Sequence, residues 1–112
     1  MNDGLKPRYR DAILESLTRN PRVEQVVLFG SRANGKHTSG SDIDLCLVGD
    51  ALTLDDLSKL AVDLEHLTVP QKVDLVLYHQ ISNEPLHAEI DHHGVVWFDR
   101  QQDAAHQGVG RP

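Results

Sequence analysis

Only one cysteine, one tryptophan, two tyrosines and two phenylalanines occur in 112 residues, and each shortage excludes something. The lone Cys46 permits no internal disulfide framework and no Cys-His metal cluster, which fits a reducing cytoplasm. It lies in an apolar run and is expected in the core. No apolar stretch approaches membrane-spanning length, and the opening residues, with Lys6, Arg8, Arg10 and Asp11 and no apolar centre, do not read as a signal peptide. The expectation is a soluble, cytoplasmic protein. Cations are also scarce: Lys and Arg total 11 against 17 Asp and Glu, a net charge of −6. Direct nucleic-acid binding needs clustered positive charge and is not expected. The length suits a single domain, read as residues 1–100, with a disordered tail over 101–112 and no room for a separate substrate domain.

What is present is a clear alternation of helical and strand patterns. Pro7 to Arg19 reads as a helix with a stripe at Tyr9, Ala12, Ile13, Ser16 and Leu17, stopped by Asn20-Pro21. A strand follows from Val23 to Phe29, then a loop marked by Gly35, Ser39 and Gly40, then a strand from Asp42 to Val48. Thr53 and Asp56 have the spacing of a capping box, and Leu54, Leu57, Leu60, Ala61, Leu64 and Leu67 form a helical stripe ending before Pro70. Lys72 to Tyr78 reads as a strand carrying Asp74 near its start. Pro85 to His92 reads as a helix with proline in its first turn and Gly94 past its end, and Val95 to Phe98 as a last strand. From Asp99 onward no periodicity remains, which suggests a frayed tail.

The pattern predicts an α/β (α+β) domain with a mixed sheet of about four strands flanked by helices. A short link favours antiparallel pairing of the first two strands. The Leu54–Leu67 helix makes a crossover that favours parallel pairing of the second and third. That arrangement would set Asp74 beside Asp42 and Asp44 at one strand-start edge.

The chemistry concentrates there. Asp42 and Asp44 are two apart in a strand, so their carboxylates share a face while Ile43, Leu45 and Leu47 share the other. Adjacent carboxylates repel unless a cation lies between them, and Mg2+ is the usual hard partner of oxygen ligands. Three acids on two strands can hold two ions. Upstream, Val26-Val27-Leu28-Phe29 runs into Gly30-Ser31, where glycine lets the backbone turn and approach a ligand. Ser31 can cap a short helix, and its hydroxyl with free N–H groups can hold phosphate oxygens. Arg32 and Lys36 read either as phosphate contacts or as exposed charges, and Arg32 joins Gly30 and Ser31 as a candidate nucleotide-binding residue. His87, His92 and His93 beside Asp91 raise a zinc reading. Adjacent histidines sit about 100° apart on a helix, whereas chelating pairs favour positions three or four apart. A solvated helix end is the favoured reading, and His37 stays a loop residue within reach of a triphosphate.

The spaced pattern Gly30-Ser31, ten residues from Arg32 to Ser41, Asp42-Ile43-Asp44 and a later strand bearing Asp74 resembles the minimal nucleotidyltransferases of the DNA polymerase beta superfamily. The resemblance covers roughly residues 20–98. It implies a nucleotidyltransferase fold and transfer of AMP from ATP to an acceptor hydroxyl. It also implies two Mg2+ ions, replaceable by Mn2+, held by Asp42, Asp44 and Asp74, with Asp74 as the general base. Small members of the family are paired as MntA-like antitoxins with HEPN-domain toxins. A hydroxyl of a HEPN-type ribonuclease is therefore the expected acceptor, and a hetero-oligomer the expected assembly. Two rivals stand beside this: a non-catalytic antitoxin that acts by binding alone, and an enzyme acting on small molecules, which the lack of an acceptor domain weakens.

Overall fold

A four-stranded sheet in the order β3-β2-β1-β4 carries the chain, with β1 at Gln25–Phe29, β2 at Ile43–Val48, β3 at Val73–Leu77 and β4 at Val95–Asp99. The computed structural model describes residues 3–102. Helices α1 (Pro7–Thr18), α2 (Leu54–Glu65) and α3 (Glu84–His93) alternate with the strands. Strand β1 pairs antiparallel with both β2 and β4, and β2 pairs parallel with β3. The sheet is mixed because α2 supplies the crossover helix a parallel neighbour needs, while the β1–β2 link carries only the short turn Gly30–Arg32.

Local chemistry sets the helix starts. The Thr53 hydroxyl accepts from the Asp56 N–H while the Asp56 carboxylate accepts from the Thr53 N–H, a reciprocal cap on α2. Asn83 accepts from Leu86 N–H to start α3, with Pro85 in the first turn, where its missing N–H costs nothing. Strand alternation then divides the apolar residues between two layers. Val26, Leu28, Ile43, Leu45 and Leu47 pack with Ile13 and Leu17 of α1 and Leu60 and Leu64 of α2. Val27, Phe29 and Cys46 pack on the other side with Ile90 of α3. Cys46 is fully buried as expected, and burial, helped by the negative charge of Asp91, pushes its thiol up to about 12.

Several boundaries shift by a residue or two, Asp42 and Lys72 falling just before their strands, and two differences have a visible cause. Strand β1 begins at Gln25 rather than Val23, because Val23 is held in a turn by its N–H bond to the Asn20 carbonyl, although its side chain is fully buried. The ordered chain also continues past Phe98. Asp99 belongs to β4 and accepts from the Gln25 amide at 2.7 Å. The Arg100 N–H donates to the Glu24 carbonyl, and its guanidinium donates to the carbonyls of Val23, Thr18 and Asn20 while lying 5.2 Å over the Phe98 ring. These are polar interactions, so apolar periodicity gave no sign of them. Most of the expected tail, 103–112, lies outside the described residues. Arg100→Ala is expected to cost about 1–3 kcal/mol by orphaning those carbonyls, lowering the melting temperature by roughly 5–15 °C. A thermal melt by circular dichroism checks this.

Among the described residues no helix is long and apolar enough to cross a membrane.

Candidate active site

The parallel register of β2 and β3 makes Asp44 and Asp74 direct Cα partners, and on the other side Asp44 lies opposite Phe29 of β1. Asp44 therefore sits in the middle of the sheet, on the face that carries Cys46 and is covered further along by Ile90 of α3. Asp42 precedes β2 by one residue and is exposed. Its position two before Asp44 gives it the same strand phase. The Asp44 carboxyl is pushed above the usual range by its partial burial, then by the charges of Asp74, Asp42 and Glu89. The register thus sets Asp44 beside Asp74 with Asp42 two residues before it, and the charge of Glu89 on α3 is also felt at Asp44. Glu89 gave no sequence signal, because only the packing of Ile90 onto the sheet turns that side of α3 toward Asp44.

Gly30 has φ +78°, a conformation side chains resist, and a Cβ built there would stand 2.5 Å from Asp44 Oδ2. Glycine is needed twice over, for the turn and for the approach of the backbone to the carboxylate. The segment Gly30–Arg32 is a single 3-10 turn with Phe29 at its N-cap position and no side-chain cap bond. Ser31 consequently does not act as the expected cap, because the turn starts two residues earlier, with Phe29 in the cap position.

Arg32 requires the larger correction. Expected as a nucleotide contact or an exposed charge, it is 1% exposed. Its Nε donates to the Ser41 carbonyl, one terminal nitrogen donates to Asp3, and the other reaches Thr38, Ser39 and Ser41. The planar, five-donor guanidinium is the one side chain that can satisfy so many carbonyls of a folded-back loop. Arg32 therefore shapes the loop that delivers Asp42, with its guanidinium donors spent on that loop and on Asp3. Lys36 remains exposed, and His37 packs against Gly4 of the N-terminal segment.

The α3 histidines belong to other contacts. His87 Nδ1 lies 3.1 Å from Asp91, whose other oxygen accepts from the Tyr78 hydroxyl at 2.8 Å, and the Tyr78 and His87 rings are 4.5 Å apart. His92 and His93 stand edge to face at 6.4 Å.

Among the described residues no three His, Cys, Asp or Glu side chains converge closely enough to hold an ion as they stand. One oxygen of Asp74 is turned to Lys72, whose Nζ is 3.4 Å away. The donor chemistry nevertheless fits a hard divalent cation: carboxylate oxygens from adjacent strands, with mutual repulsion that a cation would relieve. The burial of Asp44, together with the same repulsion, has a sign in stability. A raised Asp44 carboxyl means the folded protein holds that proton more tightly than the unfolded chain. The stability so gained is present below about pH 4 and is lost as pH rises through the raised value. At neutral pH the charged Asp44 therefore costs the ion-free protein stability. Asp44→Asn is expected to melt at or above the parent temperature in EDTA at pH 7, with the advantage vanishing below about pH 4. A variant that melts lower at pH 7 would contradict this.

Comparison with known proteins follows the same outline. The sequence pattern of the family described as polymerase beta, nucleotidyltransferase matches residues 11–103. A crystal structure of a toxin–antitoxin with AMP-PNP is similar at TM-score 0.68 and 27% identity, covering 89% of this chain and 81% of that one. A structure of tri-AMPylated Shewanella oneidensis HEPN toxin in complex with MNT antitoxin shares the fold at TM-score 0.65 and 24% identity, over 94% of this chain and 82% of that one. A protein of Methanocaldococcus jannaschii, named provisionally as a protein adenylyltransferase, is 40% identical over 48 residues. The match spans 43% of this chain and only 38% of that relative.

Proposed function

The chain belongs to the polymerase beta nucleotidyltransferase family, and from that premise we propose that it is a metal-dependent enzyme transferring AMP from ATP to a hydroxyl of a HEPN-type toxin, silencing it as an antitoxin. The observation that carries this reading is the register pairing of Asp44 with Asp74, on the strand phase of Asp42 and with Gly30 pressed against Asp44. Asp42 and Asp44 would hold the ion that accompanies the nucleotide's phosphates, and the same pair with Asp74 would hold a second. When bound, Mg2+ or Mn2+ neutralises the charge that builds on the attacking and leaving oxygens. The rest falls to the chain itself. Gly30 keeps its backbone bare beside Asp44, so a phosphate can approach there, and the Ser31 hydroxyl donates to a phosphate oxygen. Asp74, on the edge strand and partly exposed, accepts the proton of the incoming hydroxyl. The acceptor oxygen bonds to the alpha-phosphorus, the bond to the beta-phosphate bridge breaks, and pyrophosphate leaves.

ATP as the donor is motivated by the similar antitoxin-type fold seen with AMP-PNP and by the adenylyltransferase name of the partial relative. The partner class is motivated by the toxin–antitoxin assemblies that share the fold. Charge agrees with it: a chain of net charge −6 suits a basic, RNA-binding partner, since opposite fields speed encounter. The test is to incubate the full chain with Mg-ATP and a HEPN-type protein encoded beside it, then weigh that protein intact. A gain of one or more AMP units that disappears with Asp44→Asn supports the reading. Neutralisation of the partner with no mass change, retained by Asp44→Asn, would replace it with inhibition by binding alone.

A further inference from the structure

The acidic cluster already contains a cation of the protein's own. Lys72 immediately precedes β3, and its position two before Asp74 gives both side chains the same phase on the edge strand. Its carbonyl accepts from the Ile43 N–H at 2.8 Å, which ties the residue to the start of β2 beside Asp42. Its Nζ then reaches to 3.4 Å from Asp74 Oδ1. Asp74 in turn is the direct partner of Asp44, so the ammonium stands at the outer end of a row of like charges that the fold must tolerate before any ligand arrives. An ammonium group is a poor permanent solution there. It is a single mobile charge on a flexible stem and it is largely exposed, so solvent competes with it. A divalent ion on the same oxygen would approach to about 2 Å and repel it.

We propose that Lys72 is the built-in counter-ion of the Asp44–Asp74 pair, one that a divalent cation must displace, so that it weakens binding of the ion these two acids share. The inference rests on the metal-site reading given above. It implies that the nucleotide-free protein is held short of full ion occupancy by its own lysine, and that the shared ion binds most readily when the phosphates of an incoming nucleotide add further negative charge.

The test is Mn2+ binding to the nucleotide-free, full-length protein, followed by the loss of the free-ion electron paramagnetic resonance signal at low ionic strength. Lys72→Met is expected to tighten Mn2+ binding about three- to tenfold, the scale of one solvent-exposed charge at this distance. Lys72→Arg should bind like the parent. Lys59→Met, which removes an exposed lysine paired with Asp55 on α2, should also leave binding unchanged. In an Asp74→Asn background the effect of Lys72→Met should vanish, which separates a specific pairing from a change in overall charge. If the parent binds Mn2+ and Asp74→Asn weakens it, while Lys72→Met binds no tighter than the parent, the role of Lys72 is overturned and the metal site stands. If neither the parent nor Lys72→Met binds Mn2+, the metal site fails and this inference with it.

Discussion

Asp44→Asn is expected to slow nucleotidyl transfer at least about a hundredfold without unfolding the protein. Asp44 is the only one of the three acids that touches both neighbours in the arrangement, lying opposite Asp74 on β3 and against Gly30 at the end of β1. With Asp42, it is shared by both ions in the arrangement proposed above, and it is the member of that pair seated in the sheet. Losing its charge removes several kcal/mol of charge stabilisation from the transition state, and each 1.36 kcal/mol is a factor of ten in rate. Asparagine has nearly the same shape, so the strand and the glycine turn should persist, and the relieved repulsion favours the ion-free fold. Single-turnover rates and a thermal melt on one preparation decide it. A variant that transfers at the parent rate would remove Asp44 from the chemistry.

Arg32→Met should instead be a loss of structure. The guanidinium is buried and donates to the carbonyls of Asp3, Thr38, Ser39 and Ser41, so methionine would fill the volume and leave those acceptors without a partner. Each buried carbonyl left without a donor costs about 1–3 kcal/mol, so losing several at once costs at least about 3 kcal/mol. For a domain of this size that lowers the melting temperature by more than about 10 °C. Arg32→Lys should recover little, because one ammonium cannot reach carbonyls arranged around a planar fork. Thermal unfolding of the three proteins measures this, and a Met variant that melts within about 3 °C of the parent would show that the loop does not depend on Arg32.

The contrast between these residues shows what the sequence could disclose. Asp42, Asp44 and Asp74 were legible because strand alternation and a crossover helix follow from apolar spacing, and these fix which carboxylates share a face and a row. The start of α2 was legible because a capping box is a local pattern. Arg32 was misread because its partners are backbone carbonyls, which every residue has, and no side-chain pattern announces where a loop will fold its carbonyls inward. Arg100 was missed for the same reason, since it ends β4 by bonding to carbonyls more than 70 residues away. The approach of Glu89 to Asp44 and of Lys72 to Asp74 depends on how α3 and the edge strand are seated, which is a tertiary result. Gly30 lies between these cases. Its turn was readable, while its contact with Asp44 appears only once β1 and β2 are paired.

The central claim, that the cluster of Asp42, Asp44 and Asp74 moves a nucleotidyl group onto a protein hydroxyl, is tested most directly by where the label goes. Two reactions with the HEPN-type partner and Mg2+ should be run in parallel, one with ATP labelled at the alpha-phosphate and one with ATP labelled at the gamma-phosphate. The account predicts that alpha label becomes covalently attached to the partner, that gamma label leaves as pyrophosphate, and that EDTA, Asp44→Asn and Asp74→Asn each abolish attachment. Gamma label on the partner, or alpha label attached equally well by the Asp44→Asn and Asp74→Asn proteins, would contradict it.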